Sequence, residues 1–590
     1  MKDFVKMTLA VICGLLIVSI LSGILMFGLI GAAAVSGSGQ PTLPKSGVLK
    51  IDMSKITLDE QTEEGNPLAS LGSIPVGAVS LSIPKGKIGL WDAVCAVNAA
   101  AEDPAVKFIY LKTDGTVTGV AHLQEFRHAL SNFRAVSNKP IVAYIEAPTT
   151  GSYYLASVAD KIYMTSNIGA TTMVSGVSTQ MTFLGDLLKK LGVNVQLIRH
   201  GKYKSAGEMY TRGSASPENR EQYQVMVNSI WSSLSSEIAE SRDLTVEEIN
   251  SAIDDLKLLE PTDFLENKFV DGLLTRSELE AKLADLAVVS KFKEVKFISF
   301  SDYVTVKAVT AKVKDKIAII YANGEIIDGS AKSEVAGDRF ASIIGKVRAD
   351  STVKAVVLRV NSPGGSVLAS DKIKTEIDLL KGTKPVIASF GAYAASGGYW
   401  ISNSCDKIFS DAVTLTGSIG VFGMFPDFSK VLKDVAHVGI ESVSSNKHGD
   451  MLSLMRPFDE DETAYLQRSI EDVYERFTTI VAEGRGLDKD FVDEVGQGRV
   501  WTGADALTIH LVDEIGGLED AVKYAAVAAG EPDMTKWNVK NYPRAPSQME
   551  TLMSSLQGTD SNDYSVLLDE FRDLKSGKIL ARLPYLLEIK

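Results

Sequence analysis

The sequence predicts an α/β fold: two tandem copies of one α/β domain behind an N-terminal transmembrane helix. Three observations carry this. The chain repeats its own segments at a nearly constant offset. Within each copy, short β-branched runs end in glycine- or alanine-rich turns and lead into helix-like stretches, the pattern of parallel βαβ units with buried strands. The first 35 residues hold a long uncharged apolar run. At 590 residues, 45% hydrophobic and 23% charged, the chain exceeds one ordinary core, so two or more core-forming units are expected.

Residues 1–35 read as a cytoplasmic N-terminus and membrane anchor. No charge occurs between Lys6 and Lys45, and a helix needs only about 20 apolar residues to cross the ~30 Å hydrocarbon core. A cleaved signal peptide is the rival, since Ala32, Ala33 and Ala34 are small, but its apolar region of ~7 to 15 residues would be much shorter. Lys2 and Lys6 precede the span, which puts the N-terminus in the cytoplasm by the positive-inside rule. The body then lies outside the plasma (inner) membrane, on the periplasmic or extracellular side.

Residues 36–45 read as a linker, 46–300 as the N-terminal repeat and 301–535 as the C-terminal repeat. Asp103-Pro-Ala-Val-Lys-Phe-Ile-Tyr-Leu111 returns as Asp350-Ser-Thr-Val-Lys-Ala-Val-Val-Leu358, Lys139-Pro-Ile-Val-Ala143 as Lys384-Pro-Val-Ile-Ala388, and Asp160-Lys-Ile162 as Asp406-Lys-Ile408. Offsets of 247, 245 and 246 residues signal duplication of a whole domain, because solenoid periods run to only ~20 to 50 residues. Residues 536–590 read as a tail. Tyr542 to Asp563 is rich in Ser, Asn, Pro and Asp, while Ile579 to Ile589 is apolar enough to dock on an unspecified surface.

Composition removes several functions. A net charge of −13 leaves no electrostatic surface for nucleic acid. Three cysteines, Cys13, Cys95 and Cys405, make no disulfide framework or metal spacing. The six histidines fall in no catalytic or metal-binding arrangement; His448 comes nearest to a position equivalent by the repeat to a catalytic one. With no phosphate loop or zinc signature, no cofactor or metal is expected.

The chemistry concentrates in the second copy. The run Val386 to Phe390 leads into Gly391-Ala-Tyr-Ala-Ala-Ser396-Gly397-Gly398-Tyr399-Trp400, which places Ser396 at a helix N-terminus beside amides that favour developing negative charge. Alone, such a serine reads as an ordinary N-cap. Its context includes Val360-Asn-Ser-Pro-Gly-Gly365-Ser366, another strand end with a glycine turn able to present a backbone N–H. Gly365 and Gly397 N–H are a candidate pair of oxyanion donors.

Asn361-Ser-Pro-Gly-Gly-Ser366, Ala395-Ser-Gly-Gly-Tyr-Trp400 and Leu415-Thr-Gly-Ser-Ile-Gly420 together resemble the membrane-bound signal peptide peptidases of the A type, over about residues 46 to 530. That family of serine proteases has the Clp-protease and crotonase fold, so the resemblance implies two Clp/crotonase-like domains of βαβ superhelical repeats. His200-Gly-Lys-Tyr203-Lys204-Ser-Ala206 resembles the family's segment bearing the catalytic lysine. The resemblance thus implies Ser396 as nucleophile, Lys204 as general base and Ser418 as the residue that orients the lysine. It further implies a homotetramer, and cleaved signal peptides left in the membrane as substrates.

The two copies have diverged in a complementary way. Gly151 stands where the repeat would place the serine, with Ser152 one position off, and Thr113-Asp-Gly-Thr116 replaces the oxyanion turn. In the second copy no lysine stands at Gly449 to Met451, although Lys447 is close. A surface lysine of pKa ~10.4 is protonated and no base, so the assigned role requires Lys204 to be buried. Lys202 is its nearest rival but falls outside the Tyr-Lys-Ser-Ala match. His510 stands where the family has a glycine before Leu-Val-Asp, a local departure that leaves the catalytic assignment untouched. Two other functions remain open: a crotonase-like acyl-CoA enzyme using the same oxyanion turn, and an inactive peptide-binding membrane scaffold.

Overall fold

A computed structural model describes residues 41–62, 73–76, 79–82, 86–169, 172–307, 313–332, 334–544 and 579–582. The anchor expected over 1–35, and the linker up to residue 40, lie outside the described residues. Among the described residues no helix is long and apolar enough to cross a membrane.

Each copy folds around a parallel sheet. In the first, the strand order is Gly272–Leu274, Lys161–Thr165, Ile141–Ile145, Val106–Lys112, Gly47–Asp52, Phe297–Ser299, every neighbour parallel. In the second it is Val500–Thr502, Leu415–Gly417, Val386–Ala395, Val353–Ser362, Lys316–Asn323, Asn538–Tyr542, with Lys407–Ser410 also on Val386–Ala395. Here only the Val500–Thr502 strand runs antiparallel to its neighbour. Crossover helices cover the sheets because they carry apolar stripes at three- and four-residue spacing. Helix Leu90–Glu102 buries Leu90, Ala93, Val94, Val97 and Ala100, and helix Val367–Lys381 buries Ala369, Ile373, Ile377 and Leu380.

The repeated sequence segments turn out to be clasps for these sheets. Lys139 Nζ donates to the carbonyls of Ala100 and Asp103, and Lys384 Nζ does the same for Val347 and Asp350. Asp160 accepts the Ile141 N–H at 2.8 Å, as Asp406 accepts that of Val386 at 2.8 Å. Each satisfies a backbone group at the start of a central strand, which explains their recurrence without any chemistry.

Two borders differ from those expected. Helix Phe300–Lys307 puts Phe300, Tyr303 and Val304 into the first core, so that body runs past residue 300. Strand Asn538–Tyr542 pairs with Lys316–Asn323, so the second sheet runs past residue 535. The latter strand is short, polar and half-buried at a sheet edge, and such a segment carries little apolar alternation by which to find it.

A third sheet joins the copies. Its order is Val335–Ala336, Ile326–Ile327, Gly364–Ser366, Ile579–Arg582, Val421–Asp427, Asn194–His200. Asn194–His200, from the first copy, lies antiparallel to Val421–Asp427 of the second, with His200 opposite Val421. A buried charge cluster ties the copies elsewhere: Arg359 donates to Glu60 at 2.7 Å and to Glu125 at 2.6 Å, and Glu60 also meets His122 at 3.0 Å. Burial opposes ionisation of Glu60, but the Arg359 and His122 charges outweigh it and hold its pKa at about 2.

Candidate active site

Strand Val386–Ala395 passes directly into helix Gly397–Ser402, and Ser396 turns the chain between them at φ +56° and ψ −112°. A non-glycine residue in that region costs on the order of 1–3 kcal/mol and persists only where its surroundings impose it. Here the Ser396 N–H donates to Gly417 O at 2.8 Å and its carbonyl accepts from Trp400 N at 2.8 Å. The side chain makes no capping bond. Its Oγ instead meets Lys204 Nζ at 2.8 Å, so the helix-cap role suggested by a lone Ser-Gly-Gly is not the one it has.

Lys204 reaches this point because its strand crosses between copies. After Asn194–His200 has paired with Val421–Asp427, the chain turns at Gly201, and the Tyr203 N–H donates to Gln497 O at 3.0 Å. Arg199 donates to the Lys204 carbonyl at 2.7 Å, and Gln222 Nε2 donates to Tyr203 O and Ser205 Oγ. The side chain is 1% exposed and the serine 0%. Lys204 Nζ also lies 3.0 Å from Ser418 Oγ and 3.1 Å from Ser418 O, and 5.9 Å from the centre of the Phe422 ring. Burial pushes its pKa well below the ordinary lysine value, and among the described residues no carboxylate opposes that shift. The amine is therefore held toward its neutral form.

Ser418 is itself at φ +49°, fixed by its N–H donating to Arg499 O at 2.7 Å. Gly365 adopts φ +152°, and a Cβ there would sit 2.0 Å from Ile326 O, so only glycine fits. The backbones of the two glycines are close: a Cβ built on Gly397 would lie 3.1 Å from Gly365 N. All five residues singled out in the sequence thus converge on one point.

The other candidates lie apart. Lys202 is exposed with its Nζ 5.2 Å from the Tyr203 ring centre, and Lys447 pairs with Asp461 on the surface. Gly151 is the second residue of the first copy's equivalent helix, Thr150–Ala156, and Ser152 is spent in a capping box with Thr149. His448, Asp459 and Glu462 gather ligand atoms within 4.8 Å, but Arg456 occupies both Glu462 oxygens at 2.7 Å, so the cluster is an ion-pair network. His510 adopts a left-handed conformation at φ +61°, one that glycine takes freely.

Sequence reading missed Gly498, which presses the lysine into place. Gly498, at φ +76°, lies against the Lys204 backbone, where a Cβ would come within 2.6 Å of Lys204 Cβ. Gly420 packs on Gly498 in turn. Gly420 closes the Leu415–Gly420 motif, but Gly498 carries no local signal, since a Gly-Gln-Gly string is ordinary turn composition.

Against this geometry, the model of the family described as Peptidase family S49 matches twice, at residues 134–290 and 378–530. The chain belongs to peptidase family S49. Among its relatives is Protease 4 of Haemophilus influenzae, 38% identical over 74% of this chain and 73% of the relative. Protease 4 of Salmonella typhi is 34% identical over 87% and 83%. The chloroplastic serine protease SPPA of Arabidopsis thaliana is 32% identical over 78% and 68%. A solved ClpP1 mutant chain from Listeria monocytogenes aligns with 35% of this chain and 94% of its own, at 17% identity and a TM-score of 0.24, a likeness too slight to carry a conclusion. This S49 chain is a serine endopeptidase, which removes the acyl-CoA enzyme from consideration.

Proposed function

We propose that this S49 peptidase works through a Ser396–Lys204 dyad assembled from its two copies. The observation that supports it is the 2.8 Å contact between a fully buried lysine amine and the serine hydroxyl, with no acid beside the amine among the described residues. Neutral Lys204 takes the Ser396 proton as Oγ bonds to the substrate carbonyl carbon. Gly365 and Gly397 N–H hold the resulting oxyanion, each such donor being worth about 10²–10³ in rate. The protonated lysine then gives its proton to the amine nitrogen as the C–N bond breaks, leaving an acyl-enzyme. Water attacks that ester while Lys204 takes its proton, and the proton passes to Ser396 Oγ as the C–O bond breaks. Ser418 keeps Nζ aimed at Oγ throughout. The Ser-Lys pair is a known variant of the catalytic triad.

The substrates in this reading are cleaved signal peptides and similar extended apolar peptides. Residues 1–35 anchor the chain in the inner (plasma) membrane with its catalytic body on the outer side, in the Clp/crotonase-type arrangement that the resemblance implies. The exposed apolar side chains of Val435, Ile440, Val443 and Leu452 fit a subunit contact in a homotetramer.

Labelling by a serine-reactive fluorophosphonate tests the nucleophile: wild type is expected to label and Ser396→Ala not. Labelling retained by Ser396→Ala would refute the assignment. An inactive scaffold would not label at all.

A further inference from the structure

One residue of the second copy holds both Ser418 and the segment that delivers Lys204. Arg499 follows the turn at residues 496–498 and precedes strand Val500–Thr502, with its N–H donating to Gly496 O at 2.8 Å. Its carbonyl accepts the Ser418 N–H at 2.7 Å, the bond that fixes Ser418 at φ +49°. Its guanidinium reaches the first copy. Cζ lies over the Tyr203 ring, 4.7 Å from the centre, and over the Trp501 ring at 4.6 Å. Nη1 donates to Tyr203 Oη at 3.1 Å and lies 3.3 Å from Glu221 Oε1, and Tyr203 Oη donates to the Glu221 carboxylate at 3.3 Å.

Tyr203 is joined to Lys204 by a single peptide bond, so fixing its ring fixes the turn from which the lysine springs. The backbone of that turn is held by other groups: the Tyr203 N–H donates to Gln497 O at 3.0 Å, and Gln222 accepts from the Val500 N–H at 3.3 Å while donating to Tyr203 O at 3.1 Å. The His200 ring stacks on that of Tyr474 with centres 3.8 Å apart. Arg499 adds a tie of a different kind. The 3.0 Å separation of Lys204 Nζ from Ser418 Oγ is governed at the lysine end by its side chain and at the serine end by its carbonyl. The Arg499 side chain is 18% exposed, and cation–π attraction strengthens as the cation loses water.

We propose that Arg499 is a positioning residue for the general base: it clamps the Lys204 turn of the first copy to the Ser418 turn of the second, so that amine and hydroxyl meet in register. This rests on the Ser396–Lys204 reading of the same site. With the clamp released, Lys204 Nζ exchanges its 2.8 Å contact with Ser396 for water. The charged groups around the turn are Arg199, Lys202, Glu208, Glu221 and Arg499. Burial is the cause that holds the lysine pKa down, so hydration brings it back up.

Arg499→Met, which keeps the aliphatic stem and removes the guanidinium, is the direct test, run beside Lys204→Met in the full-length protein. The expected result is a kcat for a fluorogenic apolar peptide about tenfold lower at unchanged KM. The acid limb of the fluorophosphonate labelling rate should also move to higher pH, because a hydrated lysine gives up its proton only there. A merely structural role would lower stability and leave that limb in place. Tyr203→Leu should move the limb in the same direction, and the double variant no further than either single one, since both break one contact. An unmoved limb in Arg499→Met, whatever its kcat, or additive losses in the double variant, would overturn the proposal. If circular dichroism shows Arg499→Met unfolded, Tyr203→Phe decides: it keeps the ring and loses the hydroxyl that Arg499 and Glu221 hold, so the limb should move the same way by less, and an unmoved limb overturns the clamp. Lys204→Met separates this from the dyad. Labelling of that variant at the wild-type rate sinks the dyad, whereas no labelling there beside an unchanged Arg499→Met sinks the positioning role alone.

Discussion

In the proposed Ser396–Lys204 dyad, the position of Lys204 depends on Gly498, which packs against its backbone. A Cβ at this position would lie 2.6 Å from Lys204 Cβ and 2.7 Å from its Cα and N. Carbon atoms rest at about 3.5–4.0 Å, so Gly498→Ala forces the Lys204 backbone back by roughly 1 Å. The 2.8 Å contact with Ser396 cannot absorb that displacement and remain a hydrogen bond. A misplacement of this size costs about 10²-fold in rate, which is about 2.7 kcal/mol of transition-state stabilisation. The left-handed φ of +76° adds a backbone cost of about 1–2 kcal/mol. Gly530→Ala separates the two effects, since Gly530 has φ +89° with nothing within 4 Å of its Cβ position. It should lose comparable stability and no activity. The assay is kcat for a fluorogenic peptide together with the fluorophosphonate labelling rate, with circular dichroism to confirm the fold. A Gly498→Ala enzyme within threefold of wild type would refute the claim that this glycine positions the base.

Four further outcomes follow from the same contacts. Lys204→Met should abolish peptide cleavage and raise the apparent melting temperature at neutral pH. In the wild type the folded state holds this amine neutral while the unfolded chain protonates it, so stability falls as pH drops from the ordinary lysine pKa to the lowered one; the variant should lose that slope, and activity retained at the original rate would exclude Lys204 as the base. For the same reason the acid limb of the wild-type rate profile should rise with pH well below the usual lysine range, and a limb near pH 10 would contradict it. Ser418→Ala removes the 3.0 Å hydroxyl contact and keeps the carbonyl at 3.1 Å, so kcat should fall about tenfold, the worth of one hydrogen bond; a loss as large as that of Lys204→Met would show that Ser418 does more than aim the amine. Arg359→Met removes the buried charge that Glu60 and Glu125 share, at about 3–5 kcal/mol, and should lower both the urea midpoint and the activity, because the copies must stay docked for Lys204 to reach Ser396.

The parts legible in the sequence were those written as local strings. Ser396 and Lys204 lie in short segments whose composition is unusual, and the comparison of copies showed that each had kept what the other had lost. The parallel sheets were legible for the same reason, since Val356 to Val360 and Val386 to Phe390 are β-branched runs closed by small residues. Three features were not. Gly498 matters only because a strand from the first copy brings Lys204 against it, a contact across nearly half of the chain. The edge strand Asn538–Tyr542 is too short and polar to announce itself, and its partner Lys316–Asn323 decides its conformation. The apolar character of Ile579 to Ile589 called for a docking surface, but the slot that receives Ile579–Arg582 is made by two strands more than 150 residues upstream.

The repeat itself gains a physical meaning from this division. Lys139 and Lys384, and Asp160 and Asp406, persist in both copies because each clasps a sheet that would otherwise leave backbone groups unpaired. The reacting groups need exist only once, so they were free to part. Gly151 replaces the serine in the first copy, and the lysine segment survives only there. In the proposed dyad the base and nucleophile sit in different copies, so activity depends on the docked pair, held by the Asn194–His200 to Val421–Asp427 ladder and the Arg359 cluster. A substitution that loosens this docking should therefore abolish cleavage before it unfolds either sheet. Arg359→Met can show this in a single urea titration: activity should be lost at a lower concentration than the circular dichroism signal. Coincident loss would mean that the two copies unfold as one cooperative unit.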